Sequence, residues 1–428
     1  MFGWLRLFLT RESQNRESRE TARTLVANLA LGAIGLVTGI MAARLLGPDG
    51  RGRLAAIQAW PTFVGTFAVL GLPEAVVFLG GGQRERLKRL ASTAFAVSVA
   101  VSALATAALW IMIPTILRAH VGSDIATART YTLWILLGAS TGVPLALIRA
   151  TRMNVSWNLL RLVPPGIWLL VLVVAYARRD HNPDRLATHF LFCMVFWSAA
   201  FFIGSLYVFE GWWKGGNAHD SKPLLAFGGQ VVLSDIPQML NLRLDQLLMS
   251  VFMPPAVLGG YVVAVGWSGA FSVISAAFAA VLFPAVAEKS SEGVPLVVSA
   301  LKRSLVISLC AATVLAIVTP FAVPRLFGAS FTSIVPTAYV LIVATVVAGS
   351  NSVFAEGLKG LGRPGDVLKA QATALVVTGV LLTILLPMWA AFGAALASLV
   401  AYLTSSVVLV RALTRVRSSH AVGSQIDR

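Results

Sequence analysis

LLAFGGQVVLSDIPQMLNLRLDQLLMSVFMPPAVLGGYVVA, residues 224–264, holds the contradiction from which the rest of the chain can be read. Its first part, Leu224–Phe252, is apolar enough to sit in a bilayer and reads as one long helix. At ~1.5 Å per residue it reaches roughly 43 Å, enough to cross the hydrocarbon and project into the headgroups. Yet it carries Gln230, Ser234, Asp235, Gln238, Asn241, Arg243, Asp245 and Gln246. Stepping about 100° per residue, Gln230, Ser234, Gln238, Asn241 and Asp245 fall within roughly 80° of one another. Polar groups at this depth are costly unless they face a wet cavity or a partner helix. The stripe therefore predicts an interior that is not hydrocarbon.

The 428 residues are 57% hydrophobic and only 12% charged, with a mean hydropathy of +0.80. That is the composition of a polytopic helical membrane protein, not of a soluble domain. Twelve apolar segments of spanning length can be placed. Six cover Leu25–Leu46, Leu54–Leu79, Ala91–Ile113, Tyr131–Ile148, Leu162–Ala177 and Ala187–Phe209. Six more cover Leu224–Phe252, Leu258–Ala287, Leu305–Phe327, Ile334–Phe354, Leu368–Met388 and Phe392–Val410. The expected organisation is an N-terminal segment at 1–24, a first lobe at 25–209, a linker at 210–223, a second lobe at 224–410 and a tail at 411–428. The apolar patch Met1–Thr10 lacks a small-residue cleavage site after it, so segment 1–24 is expected to lie on the membrane as an interfacial helix.

An even number of spans puts both termini on one side. The loops on that side hold 24 Lys and Arg, against 9 on the other, with Arg243 inside a span. Both termini are therefore expected to be cytoplasmic. Most of the net charge of +16 is accounted for by topology, which leaves no case for a nucleic-acid partner. The linker Glu210–Pro223 is short, so no extramembrane domain is expected to hold a nucleotide or glycosyl donor. ARLLGPDGRGRLAAIQAW after the first span is echoed by DQLLMSVFMPPAVLGGYVVAVGW after the seventh. Each has a charged residue, an apolar run, a proline turn, glycines and a second helix. Two such halves, with a substrate site between them, are a common transporter plan.

No G-x-x-x-x-G-K-[ST] is present, so ATP hydrolysis is not expected. Nor does any HExxH or cysteine–histidine cluster suggest a metal site. Cys193 and Cys310 both lie in apolar runs and imply no disulfide framework. Gly47–Gly52, GPDGRG, follows a membrane helix rather than a strand and reads as a tight turn. Asp245 and Asn241 share the polar stripe, with a cavity role and an interhelical hydrogen bond both open. Arg243 points roughly 160° away from Asp245. It needs an anion, either from a substrate or from Asp235. Glu74 behind Pro73 reads either as snorkelling or as a coupling group, and Arg149, Arg161 and Lys359 as snorkelling. Arg44 lies on the side where positive charge is disfavoured, which asks for a specific reason. Asn28, Gly32, Gly35 and Gly39 line one face of the first span and read as a close packing surface.

ARLLGPDGRGRLAA, LRLDQLLMSVFMPPAVLGGYVVA and the following LFPAVAE resemble the polysaccharide-unit (Wzx-type) flippases of the multidrug/oligosaccharidyl-lipid/polysaccharide exporter superfamily. AEGLKGLGRPGDVLKAQ and FGAALASLVAYLTSSVVLV extend the resemblance into the second half. It implies an all-α, MATE-like fold of two six-helix lobes around a V-shaped central cavity. The implied cargo is an undecaprenyl-diphosphate-linked oligosaccharide. It would be turned from the cytoplasmic to the periplasmic leaflet of the bacterial inner membrane for lipopolysaccharide or O-antigen synthesis. On that likeness Arg44, Arg149 and Arg243 face the diphosphate, and Gln238, Asn241 and Asp245 the sugars. No cofactor and no enzymatic step are implied. Coupling to a proton or sodium gradient is known in the superfamily, and Glu74, Asp235 and Asp245 are the candidates to carry it. Membrane lipid and polysaccharide polymerase or assembly proteins are the implied partners. The rival readings are a cation-coupled multidrug exporter of the same superfamily and a membrane-embedded polysaccharide polymerase.

Overall fold

The computed structural model describes the backbone of residues 2–426 except 82, 119 and 289–292, and the side chains of 23–416 with residue 25 also excepted. The interfacial placement expected for 1–24 rests mostly on side chains outside the described residues, as does much of the tail. The described residues form α-helices joined by short turns. In the first half these are α1 (Phe2–Ala68), α2 (Leu72–Leu79), α3 (Arg84–Ile116), α4 (Gly122–Tyr131), α5 (Trp134–Ala150), α6 (Asn154–Arg178) and α7 (Pro183–Val208). The second half has α8 (Ala218–Phe252), α9 (Pro255–Ser268), α10 (Ser272–Glu288), α11 (Gly293–Phe327), α12 (Val335–Gly360) and α13 (Pro364–Ile426).

Local chemistry sets the breaks. α7 starts where the Asn182 side chain accepts from the N–H groups of Asp184 and Arg185, with Pro183 in its first turn. Asn217 caps α8 by accepting from the His219 N–H. Inside α1 the helical conformation fails at Gly47, φ 66°, immediately before Pro48. The left-handed region is open to glycine at no steric cost, and proline cannot continue the hydrogen-bond ladder. The second expected span is interrupted at Leu70–Gly71, both with positive φ, and resumes as α2 behind Pro73. Ala390, φ 48°, breaks α13 in the same way. Asn241 touches both Thr378 and Tyr402, which are equidistant from Ala390, so the chain doubles back there. The eighth span is divided by a tight turn at Gly269–Phe271.

Among the described residues, nine helical stretches are long and apolar enough to cross a membrane. Val26–Leu79 and Pro364–Val416 contain 54 and 53 residues. A straight helix of either length would be about 80 Å long, far beyond a hydrocarbon core of ~30 Å, so the breaks at Gly47 and Ala390 are needed for both to fit. α8 is outside the nine because its polar residues lower its hydropathy. Large apolar side chains such as Leu104, Ile111, Phe192, Phe196, Val314 and Ile317 stand exposed on the outer faces of the bundle. On a soluble protein such continuous apolar faces would drive aggregation; on this one they are the lipid-facing surface. The chain is a multi-pass membrane protein.

The halves meet where the two echoed sequences cross. A Cβ added at Gly52 would overlap the Pro255 carbonyl, and one added at Gly259 would overlap the Pro48 carbonyl. Each half thus presents the same Pro-x-x-x-Gly edge to the other, and only glycine lets the backbones of α1 and α9 approach this closely. A second crossing lies at the other end, where Gly228 of α8 sits against Leu70 and Gly71. The face Asn28–Gly32–Gly35–Gly39, expected to pack closely, is largely open, with Val273 near Gly32 and Arg161 reaching Asn28. Gly35 and Gly39 have nothing within 4 Å of an added Cβ, and Asn28 and Gly32 are exposed. Small residues are equally suited to lining an open space, which their spacing along a helix cannot reveal.

Candidate functional site

The later part of the polar stripe of α8 borders a cavity of about 660 Å³, while Gln230 and Ser234, expected on the same wall, are exposed and do not line it. α8 contributes Gln238, Asn241 and Asp245; α9 and α10 contribute Ser268, Ser272 and Ser275. α12 adds Thr345, Asn351 and Ser352, and α13 adds Gln371, Ser398, Tyr402 and Ser405. Between these polar groups the wall is mostly alanine and glycine, whose small volumes make the room, with Leu242, Val265, Leu341, Val367 and Leu409 among them. The void is bounded by helices of the second half, whereas the sequence led to an expectation of space between the halves. The first half contains a smaller void of about 220 Å³, walled mainly by Tyr131, Trp134, Trp168 and Phe190.

Hydrogen bonds fix the polar wall. Asn241, 7% exposed, donates to the Gln371 carbonyl at 2.9 Å and accepts from the Thr378 hydroxyl at 3.2 Å. The Gln371 side chain donates to Gln238 at 3.3 Å. Asn351 donates to the Tyr402 carbonyl at 2.8 Å and accepts from Ser406 at 2.7 Å. Asp245, 6% exposed, accepts from the Tyr261 hydroxyl of α9 and from the Gln246 N–H. At the cavity edge Lys359 donates to Glu356 at 2.8 Å. Each of the two carboxylates that line the cavity is therefore already engaged. What the wall offers a ligand is mainly amides and hydroxyls; Glu356 is paired with Lys359, and Asp245 is hydrogen-bonded by neutral donors. Tyr261, Tyr402, Asn351 and Gln371 were not singled out from sequence. Tyr261 lies within the echoed stretch PPAVLGGYVVA, but a lone tyrosine in an apolar run carries no signal of its partner.

The arginines are placed differently from one another. Arg44 does not enter the cavity; its guanidinium donates to the Arg325 carbonyl at 3.0 Å, tying α1 to the C-terminal end of α11. A cation on exposed helix carbonyls is a capping interaction, and it supplies the specific reason this arginine required. Arg243 is exposed on the far side of α8 from Asp245 and donates to Gln246 at 3.4 Å. Its suggested partner Asp235 is also exposed, and the two form no ion pair. Glu74 is exposed in the first turn of α2. Arg149 lies over the Trp157 ring at 5.2 Å, and Arg161 lies over the same ring at 4.3 Å. Arg161 also donates to Asn28 at 3.3 Å. Two cations thus share one indole beside the open face of α1, and neither is ion-paired with a carboxylate among the described residues. Trp157 and Arg161 sit one helical turn apart, a spacing visible in NVSWNLLR; the meeting with Arg149 depends on the turn between α5 and α6.

The model of a family described as polysaccharide biosynthesis protein matches residues 40–336. No curated protein matches the chain. Among solved structures, the lipid II flippase MurJ in an inward closed conformation aligns with a TM-score of 0.70 at 13% identity, covering 91% of this chain and 87% of that one. A mutant of the Vibrio cholerae MATE transporter VcmN aligns at 0.60 with 15% identity, covering 93% and 96%. An outward-facing multidrug resistance MATE transporter of the MOP superfamily aligns at 0.58 with 15% identity, covering 94% and 96%. The chain has the fold common to this flippase and these transporters.

Proposed function

Because the chain belongs to the polysaccharide biosynthesis protein family, we propose that it turns a lipid-diphosphate-linked oligosaccharide from the cytoplasmic to the periplasmic leaflet of a bacterial inner membrane. The breaks at Gly47 and Ala390 divide two of the nine apolar stretches into pairs, and α8 adds one more, which supports twelve crossings with both termini on one side; the excess of Lys and Arg on that side makes it the cytoplasm. The halves rock against each other about their glycine crossings. A diphosphate-linked glycan cannot cross ~30 Å of hydrocarbon unaided, because its polar groups would lose their hydrogen bonds to water. The second-half cavity replaces those bonds, and its volume is within the ~300–1,000 Å³ typical of ligand sites. Gln238, Asn241 and the hydroxyls around them serve the sugars. Arg149 and Arg161, stacked on Trp157, serve the diphosphate at the cytoplasmic end. Asp245 is the candidate for ion coupling, with the exposed Asp235 and Glu74 as alternatives. O-antigen and lipopolysaccharide units are the cargo class this favours, handed on to a polymerase.

The observation that carries this reading is the band of amides and hydroxyls in the cavity wall, where neither carboxylate stands without a hydrogen-bond donor. A cation exporter of the same fold is the second reading. It would be served by a free carboxylate facing its substrate, and here Asp245 is held by Tyr261 and Glu356 by Lys359. Expression in a bacterium lacking its own flippase for a matching sugar unit tests the choice. Restored surface polysaccharide without increased dye resistance is expected; dye resistance without polysaccharide would favour the exporter.

A further inference from the structure

We propose that His120 is a proton-binding latch that holds the halves together at the end of the molecule where α3 closes and α8 finishes. The ring lies in the turn between α3 and α4, 9% exposed, outside the membrane-spanning stretches. Its Nε2 is 2.9 Å from the carbonyl of Ser250 near the end of α8. A carbonyl only accepts, so Nε2 must carry the proton. Its Nδ1 is 3.7 Å from a carboxylate oxygen of Asp124, which is 1% exposed. With Nε2–H committed, a neutral ring would turn a bare lone pair toward that carboxylate. A charged ring turns an N–H toward it.

The surroundings favour the charged ring. Asp124 from α4 faces it as an anion, and Arg53 from α1 opposes it as a cation. Arg53 is itself bound to Asp124 at 2.7 Å and to Asp184 of α7 at 3.2 Å, so two carboxylates surround these two cations. α8 brings no charge here, only the Ser250 carbonyl and a hydroxyl that accepts from the Trp60 indole at 3.1 Å. His120 and Trp60 thus clasp one residue of the second half from two elements of the first. The Asp124 carboxylate, close to Nδ1, raises the His120 pKa above its ordinary 6.5. A raised value in the clasped state means that the latch is fully engaged below pH 6.5 and loosens as pH rises through the higher value. The echoed glycine crossing brings the backbones close at this same end, and the histidine adds a titratable part to that seal.

Spin labels at A126C and S330C, on the full chain in lipid nanodiscs with Cys193 and Cys310 replaced by serine, read the separation of the halves at this end. Between about pH 5.5 and about pH 9, double electron–electron resonance should show a longer population growing with a midpoint above that of an ordinary histidine. H120Q should lose that dependence. A wild-type distribution that ignores pH, or an unchanged dependence in H120Q, overturns the latch. If H120Q fails to assemble, histidine carbon shifts of the wild type decide. A buried imidazole titrating together with the distance change supports the latch, and one titrating apart from it overturns it.

Discussion

Tyr261 gives Asp245 its side-chain hydrogen-bond donor, and this one contact decides what kind of wall the cavity has. Without it a carboxylate 6% exposed would face the void with only the Gln246 N–H as partner. Y261F should therefore cost about 1.5–3 kcal/mol of stability, the range for a hydrogen bond to a charged group. A lowered midpoint of thermal unfolding in detergent checks this. The same variant should let cationic dyes compete for the cavity, because it frees the carboxylate. Half of this site was legible in the chain. Gln238, Asn241 and Asp245 could be aligned from helical periodicity alone, since they share one helix. Their partners Tyr261, Gln371, Thr378 and Tyr402 come from helices whose mutual rotation no spacing within one segment encodes. For the same reason Arg44, Arg149 and Arg243, grouped by the resemblance as diphosphate ligands, part company: one caps α11, one stacks on Trp157 and one stands exposed.

Helices are the scale at which the sequence was most informative. α8 runs unbroken through the whole expected span, and α6, which carries the short fifth expected span, stays helical through Pro164–Pro165. Hydrophobic length and turn residues sufficed there, because both act locally. What was not legible is how the small residues are used. Gly52 and Gly259 make the crossing between halves, while Gly35 and Gly39 border open space. Both sets are small residues at helical spacing; only the neighbouring helix distinguishes them. The crossing yields a definite expectation. G259A places a methyl where the Pro48 carbonyl lies, with backbone on both sides unable to yield. Destabilisation of about 1–3 kcal/mol, the usual cost of overpacking, should follow in denaturant titrations. G35A, on the open face, should change stability by less than about 0.5 kcal/mol.

At the scale of the whole molecule, the two halves repeat one plan with different contents. Each holds an open cavity, aromatic in the first half and carrying hydroxyls and amides in the second. The pair Arg149 and Arg161 lies in the first half and the polar cavity in the second. A cargo with an anionic end and a neutral glycan would engage both halves at once, and its binding energy would bias their relative position. A purely neutral or purely cationic solute would engage at most one. The most direct measurement is therefore flipping itself. Purified protein is reconstituted in liposomes with a fluorescent polyprenyl-diphosphate oligosaccharide, and exposure of the sugar to an added glycosidase is followed over time. The wild type should expose label from the inner leaflet, and R149Q/R161Q should slow that exposure at least about tenfold while remaining folded, the loss of one charge-assisted contact or more. Label that stays protected at the rate of protein-free liposomes, with the same protein moving a cationic dye, would contradict the account.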